Sequence, residues 1–385
     1  MTRTLASTPA ADGFRMPGEF ERHAGCWMLW PERDDNWREA ARPAQLALAQ
    51  VAEAIARFEP VAVGVSSAYY ASARALLSER VRVLEMAHDD CWMRDVGPSC
   101  VVNARGTVRG VHWHFNAWGG LNGGLYFPWD KDELVARKVL EAENLDRYRA
   151  PIVNEGGAVH VDGEGTALVT EECLLNPNRN PALDRDEIER QLCEYLGVRR
   201  IIWLSRGVVN DETDGHIDEL ACFVRPAHLC LTWTDNRRDP QYAISLDAWE
   251  RLNDARDARG RRLTVTRLPM PGPLYTRRRE AQGVVAREGS KPRTAGERLA
   301  GSYVNFYIAN GGIVMPLLDP RTDTLAAARL KRLFPARRVV GVPAREILLG
   351  GGNIHCITQQ IPAGSRARSR SGASPAARLD DAGGR

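Results

Sequence analysis

A helical pattern followed by a short β-rich run recurs along this chain of 385 residues. That repeat, of pattern rather than of identity, constrains the fold more than any single motif does. Helical periodicity covers residues 130–144 (DKDELVARKVLEAEN), 183–197 (LDRDEIERQLCEYLG), 241–258 and 322–334 (TDTLAAARLKRLF), and more weakly 67–79. Next come VRVLEM at 81, RAPIVN at 149, RIIWLS at 200, RLTVTRLP at 262 and RRVVGVP at 337. A loop follows each run, and most loops lead into a hairpin pattern: SCVVNARGTVRGVHW, AVHVDGEGTALVT, LACFVRPAHLCLTW and YVNFYIANGGIVMPL, with turn chemistry such as DGEG and ANGG between the strands. The last unit offers a single strand, NIHCITQQIP, and the early run CWMLW at 26–30 is expected to complete it and close a ring. The prediction is an α/β fold of five units around an axis, forming one domain over residues 16–364, with loops converging near the centre.

Composition narrows what such a domain does. With 44% hydrophobic residues the chain can bury a large core. A formal net charge of +3 excludes a strongly basic nucleic-acid binder as its main business. The absence of a run of about 18 apolar residues, and an N-terminus without an apolar stretch, predict neither membrane span nor secretory signal and place the protein in the cytoplasm. The eight cysteines show no CxxC pair, which argues against a zinc site or a disulfide framework. Residues 365–385, SRARSRSGASPAARLDDAGGR, hold too little apolar surface to offset ordering entropy and are expected to be a disordered tail.

The loops between the first strand of a unit and its hairpin carry the chemistry. They hold WMRDVGP (Trp92 to Pro98), NEGG (Asn154 to Gly157), NDETDGHIDE (Asn210 to Glu219) and LGGGN (Leu349 to Asn353), the last running into Cys356. The fifth such place, 269–301, is a long Pro/Gly/Arg-rich insertion, read as a lid at the rim. A cysteine attacks only as thiolate, so Cys356 needs a cationic neighbour or a base, and His216 is the best candidate. Asp95, Glu155 and Asp218, each an ordinary turn acid alone, recur at corresponding loops. Three acids and a histidine around one thiol suit a cationic planar substrate, because a carboxylate accepts two parallel hydrogen bonds from a guanidinium. His216 and Asp218 lie two apart, so an extended backbone would turn both to one side. His355, on alternate phase in the expected strand, would point away from the site as a packed residue. Trp92, three residues from Asp95, is a candidate for the pocket wall, with Trp30, Trp113 and Trp118 as further aromatic candidates. Gly352 lets the backbone approach the ligand. Asp235 and Asp239 are expected in an exposed turn.

The segments WMRDVGP, EGGAVHVDGEGTALVTEECLLNPNRNP, DETDGHIDELACFV, DPQY, GSYVNFYIANGGIVMPLLD and AREILLGGGNIHCITQQIP resemble those of agmatine deiminases, members of the guanidino-group-modifying pentein superfamily. The resemblance runs from about residue 16 to 364. It implies a five-bladed pseudo-symmetric α/β propeller, no metal or organic cofactor, and hydrolysis of agmatine to N-carbamoylputrescine and ammonia. It also implies Cys356 as nucleophile, His216 as acid and base, Asp95 and Asp218 as guanidinium clamps and Glu155 as a further active-site acid. A homo-oligomer, dimer or tetramer, is compatible with it. Two departures stand out: Glu219 follows HID where many members have Asn, and Arg277, Arg278 and Arg279 stand where an acidic run is usual. The triplet is read as a solvated surface loop rather than an inward-facing basic lid. A deiminase of free or peptidyl arginine, or an amidinotransferase, would keep the same Cys, His and acids. A non-catalytic binding module would not need the thiol.

Overall fold

The helix expected over 183–197 runs Arg185–Leu196 and shows how local chemistry sets an element's ends. Asp184 accepts the Glu187 N–H, and the Glu187 carboxylate accepts the Asp184 N–H, so two donors without helical partners are satisfied. Ile188, Leu192 and Leu196 recur at every fourth position and make the buried stripe. The other expected helices appear as Tyr70–Leu76, Val135–Ala142, Pro240–Asp254 and Asp323–Leu333. This is a computed structural model, and it describes residues 2–364; the expected disordered tail, 365–385, lies outside the described residues.

Each hairpin pattern becomes an antiparallel pair, and the strand after the following helix adds to it in parallel. Ala221–Arg225 pairs with His228–Trp233, and Thr264–Pro269 then lies beside the latter from His228↔Thr264 to Trp233↔Pro269. The same order builds sheets from Ser99–Asn103, Val108–His114 and Arg147–Val153, from His160–Val161, Thr166–Thr170 and Arg200–Leu204, and from Tyr307–Ile308, Gly312–Leu317 and Arg338–Pro343. In the fifth sheet the late strand Gln359–Pro362 pairs antiparallel with the early strand His23–Leu29, with Gln360 opposite Cys26, as the sequence predicts. The fold is mixed α/β, with its apolar residues in clusters packed against these sheets. Among the described residues no helix is long and apolar enough to cross a membrane.

Two elements of the fifth unit are missing from the sequence reading: the helix Arg42–Ile55 and the strand Val61–Val65. The helix is alanine-rich and buries nine of its fourteen residues, which leaves only a narrow exposed stripe at Arg42, Leu46 and Gln50 from which to read a period. The insertion 269–301 contains a two-stranded sheet, Leu274–Tyr275 with Arg298–Leu299, and a short helix, Arg278–Gln282. Arg277, Arg278 and Arg279 are exposed, in keeping with a solvated loop. Asp239 corrects the sequence reading. It is buried rather than exposed, because it caps the helix Pro240–Asp254 through the Gln241 N–H and receives both ends of the Arg298 guanidinium at 2.9 Å.

Candidate active site

Three short structures converge on one buried spot. The one-turn helix Met93–Val96 carries Asp95, the 3-10 turn Gly156–Ala158 follows Glu155, and the one-turn helix Ile217–Leu220 carries Asp218 just after His216. Gly157 is where they meet: a Cβ there would stand 2.5 Å from His216 Nδ1 and 2.8 Å from Asp95 Oδ1, so only glycine allows the approach. Cys356 closes the site from a turn over residues 354–357. A Cβ on Gly352 would stand 2.6 Å from Trp92 and 3.0 Å from the thiol, so Gly352 packs closely against both.

Asp95 Oδ1 accepts the Gly157 N–H at 2.8 Å and Oδ2 accepts the Trp118 indole N–H at 2.9 Å. Burial, together with Asp218 and Glu155 nearby, pushes its carboxyl up to about 6, against the pull of His216. Glu155 is fully buried and accepts from Arg179 Nε at 2.8 Å. Burial works against its charge, but Arg179 and His216 outweigh it and hold the carboxyl low. The His216 ring lies 3.8 Å from Asp95 Oδ2 through Nδ1 and 3.6 Å from Glu155 Oε2 through Nε2. Burial disfavours its charge, yet Asp95, Cys173 and Glu155 raise it well above the ordinary histidine range, which favours the imidazolium.

The thiol sits among acids. Cys356 Sγ lies 3.7 Å from Asp218 Oδ2, 3.8 Å from Glu219 Oε1 and 3.3 Å from the Asn305 side-chain amide nitrogen. Burial, then Asp218, Glu219 and Asp95, raise it well above the ordinary thiol value. Glu219 is likewise raised by burial and by Asp218 and Asp211, which favours its protonated form. Glu155 Oε2, Asp218 Oδ1, Glu219 Oε2 and His216 Nε2 are all buried with no hydrogen-bond partner in the protein. Unpaired carboxylate oxygens grouped in this way are costly unless a ligand supplies donors. Two buried clusters, Glu155 with Cys173 and His216, and Glu19 with His160 and His355, have the donor types of a metal site. In each an arginine already bonds the carboxylate, Arg179 and Arg94 respectively, and that charge opposes a divalent ion.

The profile of the Porphyromonas-type peptidyl-arginine deiminase family matches residues 15–362. The agmatine deiminase of Pseudomonas aeruginosa (strain LESB58) is 58% identical over 363 residues, which cover 94% of this chain and 99% of that protein. The chain belongs to the agmatine deiminase family. Another member, the agmatine deiminase of Ectopseudomonas mendocina (strain ymp), is 56% identical over 362 residues, covering 94% and 98% of the two chains. Among solved structures, the agmatine deiminase of Enterococcus faecalis superposes with a TM-score of 0.92 at 45% identity, covering 94% of this chain and 100% of that one.

The fold brings together Cys356, His216, Asp95, Asp218 and Glu155, the residues to which the family resemblance points, with Trp92 and Gly352, which the loop sequences themselves suggest. It corrects two local expectations. His216 and Asp218 sit at a helix start rather than on a strand, and the helical turn, not an extended backbone, puts both at the site. Cys356 and His355 lie in a turn before the strand Gln359–Pro362, so His355 does not point away: its Nδ1 is 2.7 Å from Asp218 Oδ2. Trp118 bonds Asp95, whereas Trp113 bonds Ser99 away from the site and Trp30 is fully buried in the core. Glu19, Arg94, Asn305 and Arg179 escaped the sequence reading. Arg94 sits inside WMRDVGP, and Asn305 inside YVNFYIANGG, where a polar residue in an apolar run was the available signal. The insertion does reach the site's neighbourhood: Arg293 pairs with Glu212 at 2.5 Å, bonds the Gly350 carbonyl at 2.6 Å, and lines a narrow pocket with Trp92, Trp118 and Asp90.

Proposed function

We propose that this protein hydrolyses agmatine to N-carbamoylputrescine and ammonia. The observation that carries the reading is the set of buried, unpartnered acceptors, Glu155 Oε2, Asp218 Oδ1 and Glu219 Oε2, packed around a buried thiol. A guanidinium offers five N–H donors and a positive charge, the complement of that set. Asp95 and Asp218 clamp the guanidinium and hold its central carbon against Cys356 Sγ. The acids that keep the thiol protonated in the free site are offset when the cation enters, which favours loss of the thiol proton to solvent and hence the thiolate. Sulfur bonds to carbon, and the imidazolium of His216 gives its proton to the departing ammonia, leaving a thiouronium on Cys356. His216, now neutral, takes a proton from the attacking water. Collapse breaks the C–S bond, the remaining hydroxyl proton passes to solvent, and the urea product leaves with the thiolate regenerated.

Side chains supply every step, so the reading needs neither metal nor organic cofactor and no nucleic-acid partner. Loss of the carbamoyl group from the product would leave putrescine, which fits a cytoplasmic enzyme of polyamine biosynthesis. The recurrence of one strand order in five sheets supports residues 16–364 as a single five-bladed α/β propeller around this site. At the adjoining cavity Arg33 pairs with Asp35, and Arg293 and Lys291 pair with Glu212. With these cations engaged, an amine-ended guanidine suits the mouth better than the α-carboxylate of arginine. The test is kcat/KM for agmatine, free arginine and peptidyl-arginine, with Cys356→Ser as control. A clear preference for agmatine, abolished in the serine variant, is expected. Equal or greater turnover of either arginine substrate overturns the assignment.

A further inference from the structure

Behind the site lies a buried row of charged groups that the reaction itself does not touch. His355 stands in its middle, 3% exposed. Its Nδ1 is 2.7 Å from Asp218 Oδ2, and its Nε2 is 2.9 and 3.0 Å from the two oxygens of Glu19, which the N-terminal segment contributes. A ring with a carboxylate on each nitrogen donates from both, which makes it an imidazolium. Arg94 faces the same group: its Nη1 is 3.2 Å from Glu19 Oε1 and its backbone N–H donates to the Cys356 carbonyl at 3.0 Å. His160 stacks on the ring at 6.2 Å and lies 3.6 Å from Glu19. Beyond Asp218 stand Glu219 and the thiol.

The two oxygens of Asp218 are thereby divided. Oδ2 is held by His355, while Oδ1 is buried and unpartnered. We propose that His355 is a positioning residue: braced by Glu19, it fixes the Asp218 carboxylate so that Oδ1 faces the guanidinium and Cys356 lies against its central carbon. This rests on the reading of Asp218 as a clamp. The three residues come from distant parts of the chain, at 19, 218 and 355, so the brace also ties the N-terminal segment to the reacting centre. It explains why the residue next to the nucleophile is a histidine where an apolar residue would fill the same buried space without needing two charged partners.

Two isosteres separate positioning from space-filling. In His355→Asn the amide nitrogen replaces Nδ1 and keeps the bond to Asp218; in His355→Gln it replaces Nε2 and keeps only the bond to Glu19. The expected result is that His355→Gln loses about tenfold to a hundredfold in kcat/KM, the scale of a hydrogen bond to a charged group, while His355→Asn retains most of it. Glutamine fills the space better, so equal or higher activity in His355→Gln overturns the proposal. Glu19→Gln supplies a second readout should either variant fail to fold. Without the Glu19 charge, and with Arg94 still beside it, the imidazolium loses its proton at lower pH, so the alkaline fall of kcat/KM moves to lower pH. An unmoved alkaline limb overturns the brace. Asp218→Asn is measured alongside. An active Asp218→Asn overturns the clamp and this proposal together, whereas an inactive one with His355→Gln matching His355→Asn overturns the positioning role alone.

Discussion

Cys356 shows how far a residue's chemistry depends on its neighbours. Burial and three nearby acids favour the thiol, so the free enzyme is expected to react with iodoacetamide slowly at neutral pH, with inactivation still accelerating beyond the ordinary thiol range of about 8.5. Followed as loss of activity against pH, an inactivation curve that levels off below pH 8 contradicts this. Agmatine present during the reaction is expected to protect. Asp95, pushed up to about 6, takes a proton as pH falls through that value, so kcat/KM should drop on the acid side there rather than near 4. The acids can be tested side by side. Asp95→Asn and Asp218→Asn should each lose about tenfold to a hundredfold or more in kcat/KM, since each removes a charged partner of the substrate. Asp235→Asn, at an exposed turn, should stay within about twofold. Asp239 would not serve as a second control, because its buried pairing with Arg298 gives it a structural cost of its own. Similar losses at Asp235 and at the two clamp positions would remove Asp95 and Asp218 from the site.

At the scale of elements, the site is made by one-turn helices rather than by the long ones. Met93–Val96 and Ile217–Leu220 have too few residues to be stable alone, and they persist because they are packed against the turn at Gly157. That dependence predicts the effect of the smallest side chain. Gly157→Ala puts a methyl group within 2.5 Å of His216 Nδ1, so the two helices must separate. A loss of at least about tenfold in kcat/KM, with near-UV circular dichroism retained, is expected, because small displacements of catalytic groups are costly. Unchanged activity in that variant means that the three structures do not need their present spacing. Apart from Arg42–Ile55, the sequence reading found the long helices with boundaries close to those observed, because each has an apolar stripe or a cap. It placed His216, Asp218 and Cys356 on extended backbone because four residues are too few for a period of 3.6 to show.

At the scale of the whole molecule, the sheet formed by Gln359–Pro362 and His23–Leu29 joins the two ends of the described chain, and Cys356 lies three residues before that seam. Ile361 is 5% exposed and stands opposite Gly25 there. Ile361→Ala should destabilise the protein by about 2 to 4 kcal/mol through lost burial and an unfilled cavity, measured by denaturant unfolding, while leaving KM for agmatine near its original value. A stability change under about 0.5 kcal/mol would mean that the seam contributes little. The sequence alone determined the repeat, the hairpins, the pairing of CWMLW with the late strand and the residue types of the site, because period, turn chemistry and motif are local properties of the chain. Only the tertiary structure decided that Glu19, Asp218 and His355 form one row, that Arg179 holds Glu155 ionised, that the thiol is surrounded by acids rather than paired with His216, and that Arg42–Ile55 is a helix. Those are facts about separation in space between residues up to 336 positions apart, and about the burial that makes a charge costly, and neither distance nor dielectric is written in the order of side chains.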